Sequence, residues 1–250
     1  MFDQLIANLT AWLTKLKADF ILNFVAENRW QYLTSGLKTT LALTLLSTIL
    51  GIALGVIVAI VRSSHDKLCD DRRGGTGRRI LGFFNGLCKV YLTVIRGTPV
   101  IVQLLIIYYV ILASSSNKLL VGVIAFGINS GAYVAEIVRS GIMSIDNGQF
   151  EAGRSLGFNY VQTMWHIIIP QAFKNVLPAL ANEFIVLLKE TSVCGYIAMQ
   201  DITKGAYIII GRTYSPFMPL IAIALIYLIM VMFFTWLVGK LERRLRSSDH

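Results

Sequence analysis

Ionisable and amide side chains interrupt three otherwise apolar segments of this 250-residue sequence. A charge at the centre of a bilayer costs on the order of 3 kcal/mol, so a charge in such a segment indicates a partner, a hydrated cavity or a binding role. An arginine can bind a carboxylate, and a glutamate can bind an ammonium group. The residues that we consider for such contacts are Arg96, Thr98, Gln103, Asn129, Tyr133, Glu136, Glu183, Glu190, Thr191 and Ser192.

Each of these groups also has a purely structural interpretation. The glycine and proline that follow Arg96 interrupt a helix, so Arg96 either lines a cavity beside the break or extends to the cytoplasmic interface. Glu136 and Arg139 lie one helical turn apart and would neutralise each other. The polar run at residues 189–192 either occupies a hydrated pocket or lies at the outer interface, where charge costs little.

The histidines and cysteines do not indicate catalysis or metal binding. The three histidines do not combine with carboxylates at a familiar ligand spacing, and the three cysteines are odd in number without metal-type spacing. The glycine-rich run at residues 70–77 lacks the Gly-Lys-Ser/Thr of a phosphate-binding loop. We interpret this run as a flexible cytoplasmic linker. We therefore expect no catalytic residue, metal or cofactor on this chain, and an energy source in another subunit or an ion gradient.

The composition is that of an integral membrane protein. Hydrophobic residues make up 55% of the chain and charged residues 15%, and the mean hydropathy is +0.64, so a soluble domain of this size could not bury the apolar surface. A net charge of +9 could suggest nucleic acid. Most basic residues lie between apolar segments, however, which favours a role in membrane orientation and no nucleic-acid partner.

Five segments have the roughly 20 apolar residues that a bilayer-spanning helix requires. In the first, Gly51 and Gly55 form a small-residue face, which favours close helix packing either within the chain or in a dimer. The sequence therefore predicts an all-α membrane protein. The predicted spans are residues 39–61, 90–112, 119–138, 175–195 and 217–238.

Basic residues orient these spans. They concentrate between spans one and two, between three and four, and after five, which predicts that these segments are cytoplasmic and that the N-terminus is outside. Residues 1–20 place apolar side chains at helical spacing and predict an interfacial amphipathic helix. We accordingly divide the chain into an N-terminal interfacial segment, 1–26, and a transmembrane domain, 27–246.

A polar hairpin is predicted at residues 146–170. Asp146 suits the N-cap of a helix whose N3 residue is Gln149, and Gly157 suits the left-handed residue that ends it. Asn159 then caps a second helix, with Gln162 at its N3 position. These signals predict two short helices joined at a glycine.

The second helix of this hairpin should be amphipathic. Its apolar residues are spaced i, i+3, i+4, i+7 and predict one apolar face, and Pro170 is expected to end the helix. The hairpin is either built to meet a partner in water or is an ordinary amphipathic loop helix. The residues of the predicted face are Val161, Met164, Trp165 and Ile168.

The spacing of the hairpin resembles the loop motif of permease subunits of ATP-binding-cassette (ABC) importers, with a glycine in place of the usual second alanine and an isoleucine in place of leucine. The matching residues are Glu151, Ala152, Gly153, Gly157, Ile167, Ile169 and Pro170. Further segments look like the polar amino acid permeases of that family. They are residues 36–41, 94–105, 129–142 and 168–192.

This resemblance implies a five-helix permease of the type I ABC importer fold in the bacterial cytoplasmic membrane. It would pair with a second copy or a related permease, with two ATPase subunits that carry ATP and Mg, and with an extracytoplasmic amino-acid-binding protein. Its substrates would be polar or charged amino acids. The resemblance makes the hairpin the coupling helix, with Glu151, Ala152, Gly153, Gly157, Ile167 and Pro170 at the ATPase contact.

A different class of function is also compatible with the residues. A secondary transporter or channel could use Arg96, Glu136 and Glu183 as an ion relay. That hypothesis predicts transport by the isolated chain without any ATPase. An intramembrane enzyme would need a Ser/His/Asp or metal cluster, which the sequence does not contain.

Overall fold

The computed structural model describes residues 2–68 and 76–246. These residues form helices that are joined by short connections. No β-strand occurs in these two ranges, so the all-α prediction is confirmed for them. Short π-helical turns occupy Ile21–Val25, Ile107–Ile111 and Met164–Ile168, and 3₁₀ helices occupy Ala26–Asn28 and Thr191–Ile197. The α-helices are α1 (Phe2–Phe20), α2 (Trp30–Leu68), α3 (Thr76–Gly97), α4 (Val100–Ile106), α5 (Lys118–Met143), α6 (Asn147–Ser155), α7 (Tyr160–Thr163), α8 (Ile169–Glu190), α9 (Ile202–Thr213) and α10 (Phe217–Arg246).

Among the described residues, four helical segments are long and apolar enough to cross a membrane, which makes the chain a multi-pass membrane protein. Three of them contain the first, third and fifth predicted spans. The second predicted span is divided between the end of α3 and a shorter apolar segment, Val100–Ile111, whereas α8 carries recurrent polar residues and is not among the four. The four segments are Trp30–Asp66, Gly77–Gly97, Lys118–Met143 and Phe217–Leu245.

The predicted flexible linker at residues 70–77 lies mostly outside the described ranges, and the structure differs from the prediction where α3 begins within it. Helix α2 continues to Leu68, and α3 already begins at Thr76. The reason is an apolar face with i, i+3, i+4, i+7 spacing, formed by Ile80, Phe83, Phe84 and Leu87, which stabilises a helix despite the nearby glycines. Cys69 and the rest of residues 69–75 lie outside the described ranges.

One compact unit consists of Met1–Ala42 and Thr191–Phe233. Within it, α2 and α9 approach closely at two glycines: a Cβ on Gly36 would lie 2.5 Å from the Asp201 carbonyl oxygen, and one on Gly205 would lie 2.5 Å from the Tyr32 carbonyl oxygen. An apolar cluster that includes Phe24, Leu33 and Ile209 lies in this unit beside buried polar residues such as Asn23 and Asp201, and α1 contributes no buried residue. An interfacial position for α1 stays a prediction.

The second compact unit consists of Leu43–Glu190 and Phe234–His250. Here α2 packs against α5, since a Cβ on Gly51 would lie 2.9 Å from the Ser130 side chain and one on Gly55 would lie 2.5 Å from Val134. The predicted small-residue face is therefore used for packing within the chain. This contact positions the polar residues of α5 that are described below.

Candidate functional site

The hairpin begins with the helix N-cap that the sequence predicts. The side-chain hydrogen bond of Gln149, however, differs from the one expected in a capping box. The Asp146 carboxylate accepts a hydrogen bond from the Gly148 N–H at 2.6 Å and so caps α6. The Gln149 side chain does not return to the cap. Its amide oxygen instead accepts a hydrogen bond from Gln171 at 3.3 Å, which links α6 to α8.

The turn of the hairpin is formed as predicted. Gly157 has a φ of 79°, in the left-handed region that glycine adopts without a steric penalty. The Phe158 N–H then donates to the Gly153 carbonyl at 3.0 Å. Asn159 and Gln162 form a complete capping box, with both hydrogen bonds at 2.9 Å.

Pro170 does not end the second helix, contrary to the prediction. Helix α7 passes through the π-helical turn Met164–Ile168 directly into α8, which continues to Glu190. The Ile169 N–H donates to the Met164 carbonyl, five residues earlier, so the hydrogen-bond register shifts just before the proline. A proline is tolerated beside a π-helical turn, because such local adjustments of the hydrogen bonds satisfy backbone groups that the proline would leave free. The second arm of the hairpin is therefore continuous with α8.

The predicted apolar face of the second arm is also wrong. Ile168 is fully buried, but Val161 and Trp165 are 71% and 69% exposed. The register shift at the π-helical turn explains this, because side chains before and after it no longer share one face. Leu156, in the turn, is exposed as well. We call Glu151, Arg154, Leu156, Val161 and Trp165 the hairpin tip, since all five are exposed.

The remaining motif residues hold the hairpin together. Gly153 is buried, and a Cβ there would lie 2.7 Å from the Thr163 side chain, so glycine allows α6 and α7 to touch. Ile167 is half-buried beside a core formed by Ile142, Phe150, Ile168 and Ala172. Ala152 and Pro170 are exposed.

A cavity of about 270 Å³ lies under the hairpin. Ser63 and Asp66 of α2, Phe150 of α6 and Tyr160 of α7 help to line it. Burial raises the pKa of the Tyr160 hydroxyl, which therefore stays protonated at neutral pH. Residues of the hairpin and of the end of α2 therefore line the same cavity.

Glu136 lies among three arginines. Its carboxylate is 2.9 Å from Arg62, and both Arg96 and Arg139 approach to 3.9 Å. The predicted partner Arg139 is closer to Asp66, at 3.3 Å. The main partner, Arg62, was not predicted, because it is 74 residues away in the chain and no local spacing relates the two residues.

Arg96 also lies over the Tyr133 ring, with its guanidinium carbon 5.6 Å from the ring centroid. Such a contact is favourable for a cation on an aromatic face. The structure therefore brings together three predicted pathway residues, Arg96, Tyr133 and Glu136. Arg96 and Tyr133 remain partly exposed, so this cluster is accessible from outside the chain.

Hydrogen bonds from Thr98, Gln103 and Asn129 stabilise the helix break after α3. Pro99 has no N–H for the Ile95 carbonyl, and Gln103 donates to that carbonyl at 2.7 Å and to the Thr98 carbonyl at 3.0 Å. The Thr98 hydroxyl donates to a carbonyl one turn earlier, at 2.8 Å. Asn129 donates to the Gln103 amide oxygen at 3.0 Å. These bonds replace those lost at the break, as backbone inside a membrane requires.

Glu183 is separate from the arginine cluster. It is 8% exposed, and Ser130 of α5 donates a hydrogen bond to its carboxylate at 2.9 Å. In the described ranges no hydrogen bond or ion pair joins it to Arg96 or Glu136. The ion relay considered above therefore lacks a direct connection in this structure.

The other predicted pathway residues lie where α8 ends. Glu190 is the last residue of α8 and is half-buried, and the 3₁₀ helix that follows begins with the buried Thr191 and the half-buried Ser192. A larger cavity, of about 620 Å³, lies between α8 and α10, with Lys174, Asn182 and Glu242 among its lining residues. Sequence reasoning did not predict this cavity, since its two walls are far apart in the chain.

The chain is thus a multi-pass helical membrane protein with a capped, exposed hairpin. The chain belongs to the family of binding-protein-dependent transport system inner membrane components. The sequence model of this family matches residues 75–247. No group of three or more metal-ligating side chains that could hold an ion occurs among the described residues.

Curated relatives in this family are amino acid permeases by name. The chain is 38% identical over 185 residues to the arginine transport system permease protein ArtQ of Bacillus subtilis. This alignment covers 68% of this chain and 84% of the relative. It is 35% identical over 226 residues to the L-cystine transport system permease protein TcyB of the same organism. That alignment covers 89% of this chain and 90% of the relative.

Solved structures show the same fold. A crystal structure of an amino acid ABC transporter with histidines has a TM-score of 0.76 and 40% identity, and the match covers 88% of this chain and 98% of that one. An inward-facing structure of the MetNI methionine ABC transporter has a TM-score of 0.71 at 18% identity, over 86% and 97% of the two chains. The second likeness is one of fold alone.

Proposed function

We propose that this chain is the transmembrane subunit of an ATP-driven importer that carries polar or charged amino acids across the bacterial cytoplasmic membrane. The family match and the amino acid names of the relatives support this substrate class. ATP and Mg are bound by a separate ATPase subunit. This chain supplies the pathway and the mechanical connection, and it catalyses no reaction itself.

The proposed topology has five crossings with the N-terminus outside and the hairpin and C-terminus in the cytoplasm. Helix α8 is the fourth crossing despite its polar residues, because its buried face carries Glu183 toward α5 rather than toward lipid. Helix α1 lies in the membrane interface with the apolar side chains that it exposes.

The observation that carries the proposal is the exposed hairpin tip on a rigid second arm. Leu156, Val161 and Trp165 offer apolar contact area, and Glu151 and Arg154 offer charge, which together suit a protein partner. Because α7 continues into α8, a displacement of the tip moves α8 with it. The ATPase dimer favours one arrangement of the hairpin over the other when it closes, and so shifts the conformation of the spans.

The proposed assembly contains two permease subunits, either two copies of this chain or this chain with a related one. Two ATPase subunits bind on the cytoplasmic side, and an amino-acid-binding protein delivers substrate on the opposite side. Arg96 and Tyr133 lie in the pathway and are candidates to contact the substrate carboxylate, since both are partly exposed.

Co-purification of the ATPase tests this proposal. The tagged chain is purified from its native membrane in mild detergent, as the unmodified protein and as Glu151→Lys. We expect an ATPase subunit to accompany the unmodified chain and to be reduced at least about ten-fold by the substitution, since an unfavourable charge at an interface costs more than about 1.4 kcal/mol.

Asp3→Lys is the matched control, because it reverses an exposed acidic residue far along the sequence from the hairpin. It should retain the ATPase. Transport by the isolated unmodified chain in liposomes, without ATPase, would contradict the proposal and favour the ion-relay hypothesis.

A further inference from the structure

The beginning of α3 carries an exposed apolar surface that the proposed import mechanism does not use. Ile80, Phe83, Phe84 and Leu87 recur on one face of the helix, with exposed fractions of 54%, 65%, 50% and 51%. Contiguous exposed apolar side chains of this size mark a surface that contacts lipid or another protein. We call these four residues the α3 stripe.

The direction of the α3 stripe is fixed by packing on the other side of the helix. A Cβ on Gly82 would lie 3.9 Å from the His65 ring, so α3 runs beside the end of α2. Asn85 and Leu92 are buried, and Leu92 packs against Ala132 and Ala135 of α5. The α3 stripe therefore faces away from α2 and α5.

The same packing shows how deep the α3 stripe lies. Near His65, Arg62 pairs with Glu136 and Asp66 pairs with Arg139. A layer of charges like this belongs at the edge of the hydrocarbon core, because charge inside the core is costly. Arg96, near the end of α3, approaches the same Glu136 to 3.9 Å, so the α3 stripe lies along this boundary.

Two arginines come directly before the α3 stripe, one and two residues ahead of Ile80. Arg78 and Arg79 are both exposed at the start of α3. Their long side chains extend toward water, which places their guanidinium groups at the level of lipid headgroups. A guanidinium group binds a phosphate through two parallel hydrogen bonds, so the charge and the geometry suit a phospholipid.

We propose that the start of α3 is a binding surface for anionic phospholipids of the bilayer. Arg78 and Arg79 bind the headgroup phosphate, and the α3 stripe packs against the acyl chains. The surface goes beyond the proposed import function. It depends on the proposed topology only for its assignment to the cytoplasmic leaflet.

Tryptophan quenching by brominated lipids tests the proposal. The full chain carrying Phe83→Trp is placed in nanodiscs that contain, at equal mole fraction, either brominated phosphatidylglycerol or brominated phosphatidylcholine. The signal of the chain without this substitution is subtracted, because four native tryptophans contribute to it. We expect stronger quenching by phosphatidylglycerol, with a preference of about five-fold for each arginine.

Arg78→Gln together with Arg79→Gln, in the same reporter background, should abolish this preference, and so should high salt. Arg243→Gln with Arg244→Gln is the matched control: it removes two exposed arginines at the end of α10 and should leave the preference unchanged. Phe84→Trp serves as a second reporter if the first variant does not fold.

Two results would overturn the proposal. Equal quenching by both lipids would show that the surface touches acyl chains without recognising the headgroup. The absence of quenching by either lipid would show that the surface lies in water or under a partner protein. Neither result bears on the ATPase contact, which is tested separately by co-purification.

Discussion

The hairpin and the arginine cluster around Glu136 differ in how far along the chain their interactions reach. The capping box joins Asn159 to Gln162, three residues apart, whereas the Glu136 carboxylate pairs with Arg62, 74 residues away. The hairpin leaves its tip exposed, but the cluster uses its charges within the chain. We infer that the hairpin is made for assembly and the cluster for holding helices together, and three substitutions can separate these roles.

The largest effect is expected from Trp165→Ser at the hairpin tip. Loss of an exposed aromatic anchor at an interface costs about 2 kcal/mol or more, so binding of the purified ATPase subunit should weaken about thirty-fold. Thermal unfolding of the isolated subunit should hardly change, because the side chain makes few contacts within it. Trp12→Ser, exposed on α1, is the control, and an equal loss of binding in that variant would contradict the role of the hairpin tip.

Glu136→Gln should instead lower stability. The substitution leaves Arg62, Arg96 and Arg139 without their shared counter-charge, and we expect a loss of about 1–3 kcal/mol, reduced from a fully buried case because the site is partly exposed. Thermal unfolding in detergent measures it. Glu242→Gln, exposed on α10, should have little effect, and adding Arg62→Gln to Glu136→Gln should restore part of the loss. A Glu136→Gln variant of unchanged stability would show that the pairs contribute nothing.

The smallest effect is expected from Asn159→Ala, which removes the cap of α7. Loss of such a cap costs about 1 kcal/mol. Amide hydrogen exchange at residues 160–163 should accelerate about five-fold, since the opening is local. Asn159→Ser keeps a capping oxygen and should exchange at nearly the original rate. Faster exchange throughout the chain would mean that the cap supports the whole fold.

The sequence predicted most of the hairpin and little of the membrane cluster. Asp146, Gly157 and Asn159 occupy the predicted cap and turn positions, because these depend on residue type and on neighbours a few positions away. The continuation of the helix past Pro170 was missed, since sequence spacing does not reveal a π-helical turn. Arg62 was assigned only to membrane orientation, and its pairing with Glu136 depends on how α2 packs on α5.

The helix break after α3 was predicted from the sequence, but the contacts that stabilise it depend on the tertiary structure. Gly97 and Pro99 predicted that the helix would be interrupted there, and it is. The positions of α4 and α5 decide two further contacts. Gln103 donates to the carbonyl left free by Pro99, and Asn129 in turn binds Gln103.

The amino-acid sequence alone determined the helical class, most of the apolar segments, and the caps and turn of the hairpin, because hydrophobic periodicity and capping act over a few residues. Only the tertiary structure decided which charges pair and which apolar side chains remain exposed. Those outcomes depend on helices that meet at close contacts such as Gly51 against Ser130, and no spacing along one helix specifies what lies opposite.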